Sequence, residues 1–183
     1  MTDKKTIVEI ERKLAQGISK KQIFVDLGGA DDLATAIASA PYYGDRKRYG
    51  TLNALLVAIL LYAAIIKITS TILAVHEHHL PIYVAFFGSF YPSVFAYLAF
   101  QIAHFRGWAY LPAALFCLVL FLHNLEPTFS QFKGSAFVIN LLLIAPLLPG
   151  LVIGLHLRRR LCPHLGFVGA RTDKTGRYNF MDG

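Results

Sequence analysis

Between positions 51 and 157 the chain carries only five formal charges: Lys67, Glu77, Arg106, Glu126 and Lys133. They separate four apolar stretches, near 51–75, 80–103, 107–124 and 135–157. Each is close to the roughly 17–25 residues that a helix needs to cross hydrocarbon, the third being the shortest. All four should be helical, because lipid offers no partner to an open backbone amide or carbonyl. Composition agrees: 55% of residues are hydrophobic, 16% are charged, and the mean hydropathy is +0.49. Soluble domains carry about 25% charge, so a soluble enzyme, a disordered chain and a disulfide scaffold all fit poorly. The predicted fold is all-α: a four-span transmembrane helical bundle with a short N-terminal cytoplasmic helical subdomain. Its parts are residues 1–50, a helical subdomain and basic linker; 51–157, the transmembrane domain; and 158–183, a basic cytoplasmic tail.

Orientation follows from Lys and Arg near the span ends, which stay in the cytoplasm. Nine precede the first span, Arg46, Lys47 and Arg48 among them, and six follow the fourth, beginning with Arg158, Arg159 and Arg160. Arg106 lies in the turn between the second and third spans. On the opposite side 76–79 has none and 126–134 has only Lys133. Both termini are therefore expected in the cytoplasm, and a bacterial inner membrane is the expected location. The net charge of +7 is then an orientation signal, with attraction to the anionic headgroups of the bilayer, and needs no nucleic acid to explain it. Some fifty polar residues precede the first apolar run, so the first span is expected to act as its own insertion signal.

Residues 4–40 read as short helices. Ile7, Ile10 and Leu14 share a helical face, and Gly17 ends that run. Ser19 and Gln22 match a capping box, with Ile23, Phe24 and Leu27 as the apolar face behind it. Asp31 or Asp32 is expected to cap a third helix that closes before Pro41. The bend at Gly17 superficially resembles a helix-turn-helix. Its reading helix would open on Asp31 and Asp32, which repel phosphate. Residues 42–50 mix aromatic and basic side chains, as suits a linker lying among headgroups.

Polar residues inside the spans need partners or a function. Lys67 shares a helix face with Asn53, Val57, Leu60, Ala64 and Thr71 and should snorkel outward or pair with Glu126, unless it meets a substrate or ion. Ser89, Ser93, Tyr97, Gln101 and His104 form a stripe on the second span, suited to bonding neighbouring helices or to lining a cavity. Gly88 and Pro92 predict a kink there, and Asn140 adds one polar group to the fourth span. Gly150 and Gly154 form a G-x-x-x-G pattern for close helix packing, within the chain or in a homo-oligomer, and Pro146 and Pro149 should bend their helix.

On the outer side His76, His78, His79, His123 and Glu126 are candidate ligands for Zn, Cu or Fe, provided three or four converge. Leu80 stands where a protease zinc helix needs its second histidine. His104 and His156 lie at inner span ends, shallow for a haem. Cys117 and Cys162 differ in depth and suggest no disulfide. No nucleophile–base series and no acid within a span supplies catalytic residues. No cofactor is expected beyond that candidate metal.

The leading functional expectation is a non-enzymatic inner-membrane anchor, scaffold or regulator that meets a cytoplasmic protein through its N-terminal helices. One alternative is a metal-binding or redox membrane protein built on the outer histidines. Another is a small oligomeric channel or transporter with Lys67 on its path.

Overall fold

The computed structural model describes residues 4–77, 79, 81, 90–130, 135–167, 169–174 and 176–181, and among these the chain is all-helical apart from two isolated antiparallel bridges. They divide into two compact units. The terminal unit combines the residues up to Thr51, the turn Phe105–Trp108 and everything from His156 onward. The apolar unit comprises Leu52–His104 and Ala109–Leu155.

The terminal unit opens with α1 (Lys4–Ala15), α2 (Lys20–Asp26) and α3 (Asp31–Ser39). The Ser19 hydroxyl accepts from the Gln22 amide at 3.2 Å, satisfying one free donor at the start of α2. The other half of the expected capping box is not formed. Gln22 donates forward to Asp26 at 2.7 Å, drawn by a carboxylate that also accepts from Lys13 at 3.0 Å. Gly28 and Gly29 then turn the chain with φ of 91° and 70°, a region closed to most side chains. At α3 the cap is Ala30, with no side-chain bond, and not an aspartate. Asp31 and Asp32 sit inside the first turn, where their charge favours the positive end of the helix. Ile10, Leu14, Ile23, Ile37, Leu161 and Phe180 are buried, so both ends of the sequence contribute to one core. The final residues fold back through bridges between Leu165 and Ala170 and between Thr172 and Tyr178.

Helix α4 runs unbroken from Tyr43 to Glu77. The basic segment expected as a linker is thus its first two turns. Gly44 and Gly50 do not interrupt it, since glycine costs a helix only about 1 kcal/mol. Helices α5 (Phe90–Ala103), α6 (Tyr110–Ser130), α7 (Ser135–Ile144) and α8 (Leu147–Leu161) follow. The expected fourth span is divided at Ala145–Pro146, because proline lacks the amide and crowds the carbonyl four residues back. Hydrogen bonds from Ala145 to Leu141 O and from Gly150 to Pro146 O continue the helical pattern on either side, leaving a bend. Pro149 lies in the first turn of α8, where no amide is required.

Among the described residues three stretches are long and apolar enough to cross a membrane: Tyr43–Leu73, Gly107–Leu125 and Leu141–Leu161. Phe90–Ala103 is apolar but shorter. Within the apolar unit α4 buries Asn53, Leu56, Leu60 and Ala63 along one face, and α6 buries Tyr110, Ala113, Cys117 and Leu120 at the same helical spacing. A Cβ added to Gly150 would lie 3.1 Å from Ile59 Cγ2 and 3.2 Å from Cys117 Sγ. One added to Gly154 would lie 3.2 Å from Ala114 Cβ. These glycines therefore let α8 approach its neighbours in the same chain.

Candidate functional site

The most unusual side chain in the terminal unit is Lys20, which begins α2 and is only 2% exposed. Its position is set by spacing: it lies three and four residues before Ile23 and Phe24, on the face that α2 must bury. Its ammonium donates to Ala38 O at 3.2 Å and stands 5.3 Å from the centre of the Tyr42 ring. The adjacent carbonyl, Ser39 O, accepts from the Cys162 thiol at 3.3 Å. Two buried donors thus meet the carbonyls that α3 leaves free at its negative end.

Burial pushes the Lys20 ammonium down to about 8, against the pull of Cys162 and Asp45 in the other direction. Burial also raises the Cys162 thiol to about 11, although Lys20, Arg158 and Arg46 favour its thiolate. At neutral pH the pair is therefore an ammonium and a thiol. His164 is held below the usual imidazole range, first by burial and then by Lys20 and Arg171. Gly107 closes the cluster. A Cβ there would stand 2.4 Å from both Cys162 Sγ and Ser39 O. No side chain fits, so the 105–108 turn, α3 and the start of the tail meet at a glycine.

Charge and aromatic contacts complete the unit. Glu11 on α1 accepts from Arg46 at 3.1 Å and lies 3.9 Å from Arg106. Arg46 also stands 5.8 Å over the ring of Phe105, a non-glycine residue with a φ of 54°. In the tail the Tyr178 hydroxyl donates to Asp31 at 2.7 Å, and Tyr178 and Phe180 stack at 5.5 Å, both edge-on to Phe24. Lys20 is enclosed, with its ammonium on the Ala38 carbonyl and beside the Tyr42 ring.

The other residues singled out in the sequence are dispersed. Arg46 is engaged with Glu11, while Lys47, Arg48, Arg159 and Arg160 are exposed. Arg158 donates to Gly166 O. Lys67 is half-buried on α4, and its carbonyl accepts from Ser70 and Thr71 at 2.9 Å. Ser93 and Tyr97 are exposed on α5 and Gln101 is half-buried; Ser89 and the side chain of Asn140 lie outside the described residues. His104 turns its Nδ1 to Phe100 O at 2.8 Å, and His156 meets the Tyr49 ring edge-on at 6.1 Å. His76, His79 and His123 are exposed, and the side chains of His78 and Glu126 lie outside the described residues. Among the described residues no three His, Cys, Asp or Glu side chains converge as metal ligands. Cys117 and Cys162 are both buried free thiols.

Two buried polar contacts were missed in the sequence. Lys20 beside Lys21 reads as a solvated pair, and only its phase with Ile23 marks it for burial. In the apolar unit Asn53 donates to Ile102 O at 2.9 Å, and the Tyr110 hydroxyl donates to Asn53 Oδ1 at 2.6 Å. The spacing of Asn53 marks its helix face, whereas Tyr110 carries no signal apart from its aromatic class. No protein-family model, curated protein or solved structure matches the chain.

Proposed function

We propose that the chain is a four-span inner-membrane protein with both ends in the cytoplasm, and that its terminal unit anchors, recruits or regulates a cytoplasmic protein without catalysing a reaction. The observation that carries this reading is that the two chain ends build one folded, strongly basic unit with its own core. Sixteen of the eighteen Lys and Arg and nine of the eleven Asp and Glu fall in that unit, so it holds the whole net charge of +7. Disordered tails would suffice for membrane orientation. A core of this kind supports a defined surface.

Four crossings are supported over three by the packing of the ends. An odd number would leave them on opposite sides of a bilayer, whereas Cys162 donates to Ser39 O and Tyr178 to Asp31. The apolar helix Phe90–Ala103 is the candidate for the fourth crossing. The partner-facing surface is assigned to α1 and α2, where Val8 and Val25 are 59% and 60% exposed. The test is a photo-reactive side chain placed at position 8 or 25 in living cells. One discrete protein adduct, abolished by the Val→Asp change at the other position, is the expected result. Absence of any adduct at both positions contradicts a recruiting surface there.

A further inference from the structure

The cations of the terminal unit are engaged to different degrees. Lys13, Arg46 and Arg106 sit beside carboxylates, at 3.0, 3.1 and 3.9 Å. Arg48, Arg159 and Arg160 are exposed and form no ion pair with a described carboxylate. These three belong to the two helices that run directly into apolar sequence, Arg48 one turn before Leu52 on α4 and the others in the last turn of α8.

The same helices show what continues from each arginine. On α4 Arg48 heads an exposed face of Thr51, Leu55, Ala58, Tyr62 and Ile65, at alternating steps of three and four. On α8 Arg159 follows an exposed face of Leu148, Val152 and Leu155 at the same steps. The opposite face of α8, with Leu147, Gly150, Gly154, Leu157 and Leu161, is buried. Each helix therefore presents an apolar stripe ending in one unpaired guanidinium. The two arginine ends are brought together by Tyr49, whose ring lies 6.1 Å from His156 and 5.6 Å from the Arg48 guanidinium. His156 precedes Arg159 and Arg160 by three and four residues, so all three share a helix face.

We infer that Arg48, Arg159 and Arg160, around the Tyr49–His156 contact, form a headgroup site for an anionic phospholipid. The guanidiniums would take its phosphate through paired N–H donors, the geometry in which arginine binds that group best. The inference rests on α4 and α8 crossing the membrane, as proposed above, and names the lipid that meets them.

The full chain is purified in neutral detergent and titrated with phosphatidylglycerol or with phosphatidylcholine of the same acyl chains, bound lipid being counted by native mass spectrometry. Phosphatidylglycerol should bind in preference, and each arginine changed to glutamine should weaken it about fivefold. The variant Lys5→Gln/Lys21→Gln/Arg177→Gln removes as much charge from exposed positions elsewhere in the unit and should bind as the parent does. Equal loss in this variant and in Arg48→Gln/Arg159→Gln/Arg160→Gln, or equal binding of the two lipids by the parent chain, overturns the site. The lipid comparison needs no variant, so a misfolded Arg48→Gln does not rescue the inference. Protection by inorganic phosphate equal to that by phosphatidylglycerol would assign a free phosphate ligand instead. A dimer that closes the stripes without lipid would assign them to a second copy. If the chain washes from membranes with carbonate, the crossing itself is wrong; if it stays but shows no lipid preference, only the headgroup site fails.

Discussion

The two units bury opposite things. The apolar unit leaves large hydrophobic side chains such as Ile65, Phe100, Val119 and Val152 on its surface and turns a polar pair, Asn53 and Tyr110, inward. The terminal unit hides Ile10, Ile23 and Ile37 as a water-soluble domain does, yet encloses an ammonium. The difference fits the proposed placement of the apolar unit in hydrocarbon and the terminal unit in water. Hydrocarbon does not drive apolar side chains together, so close packing and hydrogen bonds must hold helices there. Water supplies that drive to the terminal unit. Lys20 is tolerated because it occupies the Ala38 carbonyl that α3 would otherwise leave bare.

Glycine substitutions should separate the units most sharply. Gly107→Ala drives a methyl into a backbone carbonyl and a buried sulfur and should destabilise the terminal unit by about 3 kcal/mol or more. The only tryptophan, Trp108, lies in this unit, so its fluorescence on heating reads that melting directly. Gly150→Ala in the apolar unit meets only side-chain atoms at 3.1 and 3.2 Å and should cost about 1 kcal/mol. Equal losses would mean that the close approach at Gly107 is not what holds the three segments. Next in size is Tyr110→Phe, which leaves Asn53 Oδ1 without its buried donor, at about 1–3 kcal/mol. Unfolding in a mixed-detergent titration measures it, and an unchanged midpoint would remove that pair from the account.

The pH dependence is smaller and particular to the terminal unit. Folding lowers Lys20 from its ordinary 10.5 to about 8, so between those values the unfolded chain binds more protons and stability rises with pH. Below about 8 both states are protonated, and this contribution is flat. Folding raises Cys162 from 9.0 to about 11, which makes stability fall with pH across that interval. The two slopes oppose each other above about 9, leaving a net rise confined to about pH 8–9, at most about 1.4 kcal/mol per pH unit. Cys162→Ser should extend the rise toward 10.5, and Lys20→Met should abolish it while keeping the fall. Melting curves through Trp108 fluorescence from pH 7 to 10.5 check both signs. The smallest expected effect is Gly50→Ala, in a helix with open space around it, which should stabilise by about 1 kcal/mol.

Periodicity and charge made most of the secondary structure legible. The apolar stretches, the stops at Gly17 and Gly28–Gly29, and the bend near Pro146 all act through neighbours in sequence. The structure departs from the local pattern where another group competes or where no residue breaks a helix. Gln22 chose Asp26 over its own helix start, and the basic segment 43–50 stayed helical because nothing in it breaks a helix. Contacts over long separations were illegible. The bond between Cys162 and Ser39 spans 123 residues and that between Tyr178 and Asp31 spans 147, and neither leaves a periodic trace. The candidate site is made of such contacts, and no local pattern around Gly107 records them.

Both chain ends belong to one unit, which is proposed to lie on one face of the membrane. The most direct measurement is labelling of Lys5→Cys, Lys174→Cys and His79→Cys with a membrane-impermeant maleimide; all three positions are exposed, and the native thiols are buried. The expected result is that position 79 reacts in intact cells, while positions 5 and 174 react only after the membrane is opened. Labelling of positions 5 and 174 from opposite sides would contradict it, because ends that pack together cannot be divided by a bilayer.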